Sequence, residues 1–290
     1  MIKTVFLLLV IPILISAQSA PYFPLVSQSF DSNIKKASYI DAVFNPISLS
    51  KPDQIGVAIA HQNREWDYNW FVFGFVYPSD YGSFGLGYSN YSSTSIPVTS
   101  DDTVTGPYIS SYEADVFETL AFSYSPILSE VDITVMINYK ERRLINKTAS
   151  SFYVDLKLSS PKILNNRIGI LTQSLLGSNY YKWDNGDEEA LPQYVGVYYI
   201  HPFDQLMIKV QADICTNYSE LTTSSAALSY SVDKYIRLYF SAQTADVFNI
   251  MTFGLDLSLS DVLSLSYSNR NESNDYEDLD IHAIGIGVTF

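Results

Sequence analysis

The sequence predicts an all-β fold: a transmembrane antiparallel β-barrel of about fourteen strands preceded by a short N-terminal helical hatch segment. Three observations predict it. Segments with period-two alternation recur from Gln54 to Phe290, the links between them alternate in length, and the sequence finishes on IHAIGIGVTF, a strand that stops on an aromatic residue without a polar tail.

The first element is not part of the fold. MIKTVFLLLVIPILISAQSA has Lys3, an apolar run from Val5 to Ile15 and small residues toward Ala17 and Ala20, the pattern of a secretory signal peptide over 1–20. Its apolar run is shorter than the ~20 residues a spanning helix needs. Cleavage after Ala17 and after Ala20 fit equally well.

Residues 21–53 form the second element. FDSNIKKASYIDAVFNPISLSKPD offers helix caps at Asp31 and Ser32, a short helical pattern through Ile34, Ser38 and Ala42, and stops at Pro46 and Pro52. A segment of this kind enters a barrel lumen as a hatch or lies under the periplasmic rim. In Asn45-Pro46 the proline ends the helix, and the asparagine before it is pushed toward extended backbone.

The barrel is expected over 54–290, with strands at roughly 54–62, 68–77, 81–91, 114–125, 129–141, 151–160, 167–175, 193–200, 204–213, 222–231, 235–243, 248–257, 262–269 and 279–290. Most have one greasy face and one wet or small face. Val131, Ile133, Val135, Ile137 and Tyr139 oppose Asp132, Thr134, Asn138 and Lys140; Phe152, Val154, Leu156 and Leu158 oppose Tyr153, Asp155, Lys157 and Ser159. Leu206, Ile208 and Val210 oppose Met207, Lys209, Gln211 and Asp213, and Leu263, Leu265 and Tyr267 oppose serines. Apolar residues facing lipid and polar residues facing a lumen give this alternation.

Links after even-numbered strands are tight, such as 78–80, 201–204 and 232–234, whereas those after odd-numbered strands are usually longer and more polar, notably 92–113 and 176–192, with NREWD and TADV as short exceptions. Short turns on one rim and long loops on the other suit an outer-membrane barrel. A β-sandwich would alternate too, yet has no reason to segregate loop length by parity. It also leaves the last strand unexplained, whereas in a barrel that strand closes onto the first. Tyrosines near strand ends, including Tyr77, Tyr139 and Tyr267, fit an interfacial girdle.

Composition narrows function. Lys+Arg 17 against Asp+Glu 31 gives a net charge of −14, which argues against nucleic acid as a partner. Cys215 is the one cysteine, so no intramolecular disulfide framework exists. The three histidines, His61, His201 and His282, show no metal-ligand spacing, and the acidic run DNGDEE at 184–189 lacks calcium-loop spacing. The sequence therefore predicts no enzyme, catalytic residue, metal or cofactor. Candidate luminal charges are Asp132, Lys140, Asp155, Lys157, Lys209, Asp213 and Arg237, placed to pair across strands or to line a water path.

A short helix, then AVFNPISLS, then DQIGVAIAH resembles the amino-terminal region of the FadL-like outer-membrane barrels, and most of all the PorV/PorQ subgroup. Asn45, Pro46 and Leu49 match its hatch motif; Ile47 and Ser48 replace its small Ala-Gly pair. The FadL resemblance implies a fourteen-stranded barrel with a hatch, acting as a passive channel for hydrophobic or small molecules. The PorV/PorQ resemblance implies instead a non-enzymatic scaffold or secretion-system partner whose long loops dock a protein. Phe290, with Val288, Ile286 and Ile284 in phase, resembles the C-terminal signal that the barrel assembly machinery recognises. The expected location is the bacterial outer membrane, and the expected partners are its lipid, the assembly machinery, and either a hydrophobic small molecule or a secretion-system protein.

Overall fold

The computed structural model describes residues 55–64, 68–102, 106–128, 131–144, 147–160, 166–178, 180–246, 248–274 and 278–290. The expected signal peptide and hatch segment, with Asn45, Pro46 and Leu49, lie outside them.

Alternating sequences become sixteen strands: β1 (Gly56–Arg64), β2 (Tyr68–Ser79), β3 (Gly82–Asp102), β4 (Gly106–Pro126), β5 (Asp132–Leu144), β6 (Lys147–Ser159), β7 (Arg167–Gly177), β8 (Tyr180–Trp183), β9 (Glu188–Ala190), β10 (Tyr194–Phe203), β11 (Leu206–Cys215), β12 (Thr223–Ser231), β13 (Ile236–Thr244), β14 (Phe248–Ser258), β15 (Leu263–Asn274) and β16 (Asp278–Thr289). Fourteen of them form a closed antiparallel ring in chain order, with β7 pairing β10, and the short β8–β9 hairpin pairs with the end of β6, Ala149 opposite Trp183. One 3-10 turn, Ser219–Leu221, interrupts the strands among the described residues.

The last strand closes the ring. β16 lies between β15 and β1, with Ile286 opposite Leu265 on one side and Ile59 on the other, and the Phe290 N–H donates to the Ile55 carbonyl at 2.9 Å. Pairing on both sides leaves β16 without an open edge.

The two faces separate by phase. Ile137, Tyr139, Phe152, Leu158, Ile284 and Ile286 point out and are exposed, whereas Thr134, Asn138, Lys140, Tyr153, Asp155 and Ala283 point in and are buried. An exposed apolar phase around a polar buried phase inverts a soluble domain and matches a wall whose solvent is hydrocarbon. Toward one rim the outward phase turns charged: above Leu120 and Tyr139 come Glu118, Glu141 and Arg143, with the Arg143 guanidinium on Glu118 and its Nε 3.2 Å from Glu141. That switch marks where the apolar band ends.

The long polar links are not loops. In place of an open 92–113 segment, β3 and β4 stay paired up to Asp102 opposite Gly106, with register shifts near Ser93 and Val98. The Ser/Thr-rich stretch between them also carries Ile96, Val98 and several β-branched threonines, and a strand above the membrane needs no apolar face to be paired. The 176–192 link folds into the β8–β9 hairpin, and β5 and β6 pair as far as Leu144 opposite Lys147. The two rims therefore differ in hairpin height more than in loop length.

Candidate functional site in the barrel lumen

The closed wall gathers the inward phase into one compartment. Of the seven luminal charges expected from sequence, Lys140, Asp155, Lys157, Lys209 and Asp213 are buried there. Asp132 and Arg237 are half-buried near the short-turn rim, where Asp132 pairs with Arg167 at 3.3 Å. Arg237 stands opposite Asp256 in the β13–β14 register.

Asp155 organises the wall at a break in its ladder. Between Val154↔Leu176 and Leu156↔Thr172, β7 spends two residues more than β6, and Ser174 takes a positive φ of 55°. The displaced Ser174 N–H donates to Asp155 Oδ1 at 2.7 Å, while Asn138 Nδ2 donates to Oδ2 at 2.9 Å. A buried carboxylate thus takes up a backbone donor that the bulge removed from the sheet. Lys140, one inward position above Asn138, lies over the Tyr153 ring at 5.2 Å.

A second assembly sits nearer the tall rim, around Arg142. Its guanidinium donates to Asp115 at 3.2 Å and to Glu189 of the β8–β9 hairpin at 3.5 Å. It also packs over the Phe117 ring at 4.6 Å and the Trp183 ring at 5.7 Å. Planar stacking with forked hydrogen bonds is arginine chemistry that lysine does not reproduce. The same hairpin supplies Tyr181 and Trp183 to an apolar cluster with Ala149, Tyr153 and Leu191, so the hairpin is fastened inward.

Apolar surface recurs along the lumen. Leu171, Tyr198 and Ile200 cluster with Met207 toward the short-turn rim, and Cys215, Leu221, Phe248 and Ile250 cluster with Tyr194 and Tyr218 at the other. Two inward glycines are covered by tyrosine rings. Tyr239 lies flat over Gly254, where a Cβ would come within 1.8 Å of its ring, and Tyr198 covers Gly169 in the same way at 2.3 Å.

Several site residues escape the sequence reading. Arg142 lies one position past the expected end of its strand, Arg270 and Glu272 lie just beyond 269, Asp115 falls on the inward phase of the expected strand 114–125, and Glu189 is placed by tertiary structure. Arg270 and Glu272 pair at 2.9 Å, both buried. Asp256 lay within an expected strand and on the inward phase; it is buried, and neither carboxylate oxygen has a hydrogen-bond partner among the described residues. Period two, extended by one to three residues, was the signal that would have found Arg142, Arg270 and Glu272.

The histidines lie on the other side of the wall. His61 and His282 are exposed on the outward phase, His282 stacking on Tyr267, and His201 continues the outward row of Tyr199. A nucleophile–histidine–acid site inside the lumen would need a histidine facing inward, and each of the three faces outward. The DNGDEE run is the β8–β9 turn: Gly186 supplies a φ of 91°, Asp187 N–H donates to Asn185 Oδ1 at 3.1 Å, and Glu189 turns away to Arg142. No group of three or more His, Cys, Asp or Glu able to hold a metal occurs among the described residues.

The terminal residues take outward positions. Ile284 and Ile286 are exposed, Val288 is half-buried, and Phe290, bonded to the wall through its backbone, is 73% exposed.

Solved structures share this architecture. The toluene transporter TodX of Pseudomonas putida superposes with a TM-score of 0.64 over 92% of this chain and 97% of its own, at 11% identity. The monoaromatic hydrocarbon channel CymD gives 0.62 over 92% and 97%, at 10% identity. The fold is that of TodX and CymD. At such identity the likeness is one of fold. No protein-family model and no curated protein matches the sequence.

Proposed function

We propose that this protein is an outer-membrane barrel that passes small hydrophobic molecules passively. The observation that carries the reading is the set of buried apolar and aromatic clusters inside a lumen that is otherwise charged: Leu171, Tyr198 and Ile200 near one rim, Tyr153, Tyr181 and Leu191 under the hairpin, and Leu221, Phe248 and Ile250 near the other. A purely hydrophilic pore has no use for them. These side chains pack on one another, so a nonpolar solute reaches them by exchanging apolar contacts for apolar contacts rather than by displacing bound water.

The shared fold supports the reading, because TodX is described as a toluene transporter and CymD as a monoaromatic hydrocarbon channel. The bulge at Ser174 supports it as well, since there β6 and β7 lose continuous pairing. On this reading the tall hairpins face outside the cell and the short turns face the periplasm. The PorV/PorQ-like scaffold reading relied on long free loops; the paired β3–β4 hairpin and the fastened β8–β9 hairpin give it no specific support.

The test is uptake of a labelled monoaromatic hydrocarbon by cells lacking their own hydrocarbon channels, with and without the protein. Faster uptake that also needs the luminal clusters, lost on Tyr198→Asp with Phe248→Asp in a barrel still folded, is expected. Equal uptake in all three strains, with the protein folded in the outer membrane, would overturn the proposal.

A further inference from the structure

A groove of about 740 Å³ runs across the outside of the wall from β7 to β14. Two outward rows form it by register, one through Tyr199, Val210, Ala226, Ala242 and Met251, the other through Val197, Ala212, Ser224, Thr244 and Asn249. Elsewhere this phase carries large side chains, such as Leu120, Phe122, Phe152 and Phe253. Here Ala212, Ser224, Ala226 and Ala242 leave the floor low, while Ile168, Val197 and Met251, each more than half exposed, form its banks.

The groove has a direction. Ile168 lies beside the short-turn end of β7, whereas Thr244 and Asn249 flank the opposite rim, where Thr244 Oγ1 donates to Asn249 Oδ1 at 2.7 Å. It is apolar where it enters the band and hydrogen-bonding where it reaches the outer surface. Six strands at ~4.8 Å spacing make it about 24 Å long, enough for a chain crossing one leaflet, half of a ~30 Å hydrocarbon core. No lining side chain is charged.

From this geometry we infer that the groove binds one acyl chain of an outer-leaflet lipid, with the ester or amide end of the chain at Thr244 and Asn249. The inference rests on the outer-membrane reading but not on transport. Other occupants fit less well. A second copy meeting this face across a two-fold axis would set groove against groove and leave the hollow empty. The segment before Ile55 joins β1, which is separated from β12 by β16, β15, β14 and β13 around the ring. A void left unfilled in the band forfeits dispersion contacts on every lining atom, and water there finds few partners.

The experiment places the full-length barrel in vesicles of phosphatidylethanolamine and phosphatidylglycerol containing a phosphatidylethanolamine with a diazirine on its acyl chain. After illumination, adducts are mapped by mass spectrometry, and folding is checked by heat-modifiable migration. The expected adducts concentrate on Val210, Ala226, Ala242 and Met251, and they are largely lost in folded Ala226→Leu/Ala242→Leu. Adducts spread evenly around the outward phase would overturn the inference, as would a folded double variant labelled like the parent, or barrel-to-barrel cross-links at these positions. Should the double variant not fold, the parent's adduct map decides alone. Thr244→Val with Asn249→Leu is expected to leave adducts in the groove but shift them along it. Failure of hydrocarbon uptake would leave this result untouched, whereas absence from the membrane would remove both.

Discussion

Replacing Asp155 with alanine removes the acceptor of two buried donors at once. Ser174 N–H and Asn138 Nδ2 lose partners at 2.7 and 2.9 Å inside a wall where Asp155 itself is fully buried. Each orphaned buried donor costs about 1–3 kcal/mol, so the variant is expected to lose roughly 2–6 kcal/mol, less whatever luminal water recovers. Asp155→Asn keeps an acceptor for Ser174, and a flip of Asn138 lets the two amides pair, so most of that loss should return. Urea unfolding in detergent micelles, followed by tryptophan fluorescence and gel migration, measures both. Asp155→Ala within about 0.5 kcal/mol of the parent, the scatter of a neutral surface change, would refute the claim that the carboxylate holds the bulge.

Other consequences are as specific. Gly254→Ala drives a Cβ into the Tyr239 ring and should destabilise by about 1–3 kcal/mol, with Tyr239→Leu in the same chain relieving it; the same urea titration reads both. Arg142→Ala leaves Asp115 buried without its partner, a loss of order 3–5 kcal/mol if water does not enter, and leaves the β8–β9 hairpin held only by its pairing with β6 and its aromatic cluster, so tryptic cleavage at Lys182 should quicken. Arg142→Lys should restore little of this, because lysine cannot stack and fork together. Deleting Phe290 should lower the folded yield in the outer membrane before it changes uptake per folded barrel; an unchanged yield would count against its role as an assembly signal.

The wall was legible in the sequence and the strut-work inside it mostly was not. Alternation such as Phe152, Val154, Leu156 and Leu158 against Tyr153, Asp155, Lys157 and Ser159 reports which solvent each face meets, and a closed wall follows from that plus the terminal strand. Alternation weakens once a strand leaves the hydrocarbon, because both faces then tolerate polar residues. That is why β3–β4 read as a loop and why Arg142, Arg270 and Glu272 lay past the expected strand ends. Tyr239 over Gly254 and Glu189 on Arg142 depend on cross-strand register and on a hairpin folding back, which no local pattern encodes. The groove on the outer wall comes from small residues on β11, β12 and β13 coming into line, with Ala226 and Ala242 side by side; each alone is an ordinary strand alanine.

The central claim is a barrel whose lumen conducts small hydrophobic molecules across the outer membrane. Initial uptake of a labelled monoaromatic hydrocarbon tests it, in cells with an intact lipopolysaccharide surface and no other hydrocarbon channel. The protein should raise that rate in proportion to the amount of heat-modifiable barrel in the outer membrane, and Tyr198→Asp with Phe248→Asp should abolish the increase. A rate independent of folded barrel would contradict the account.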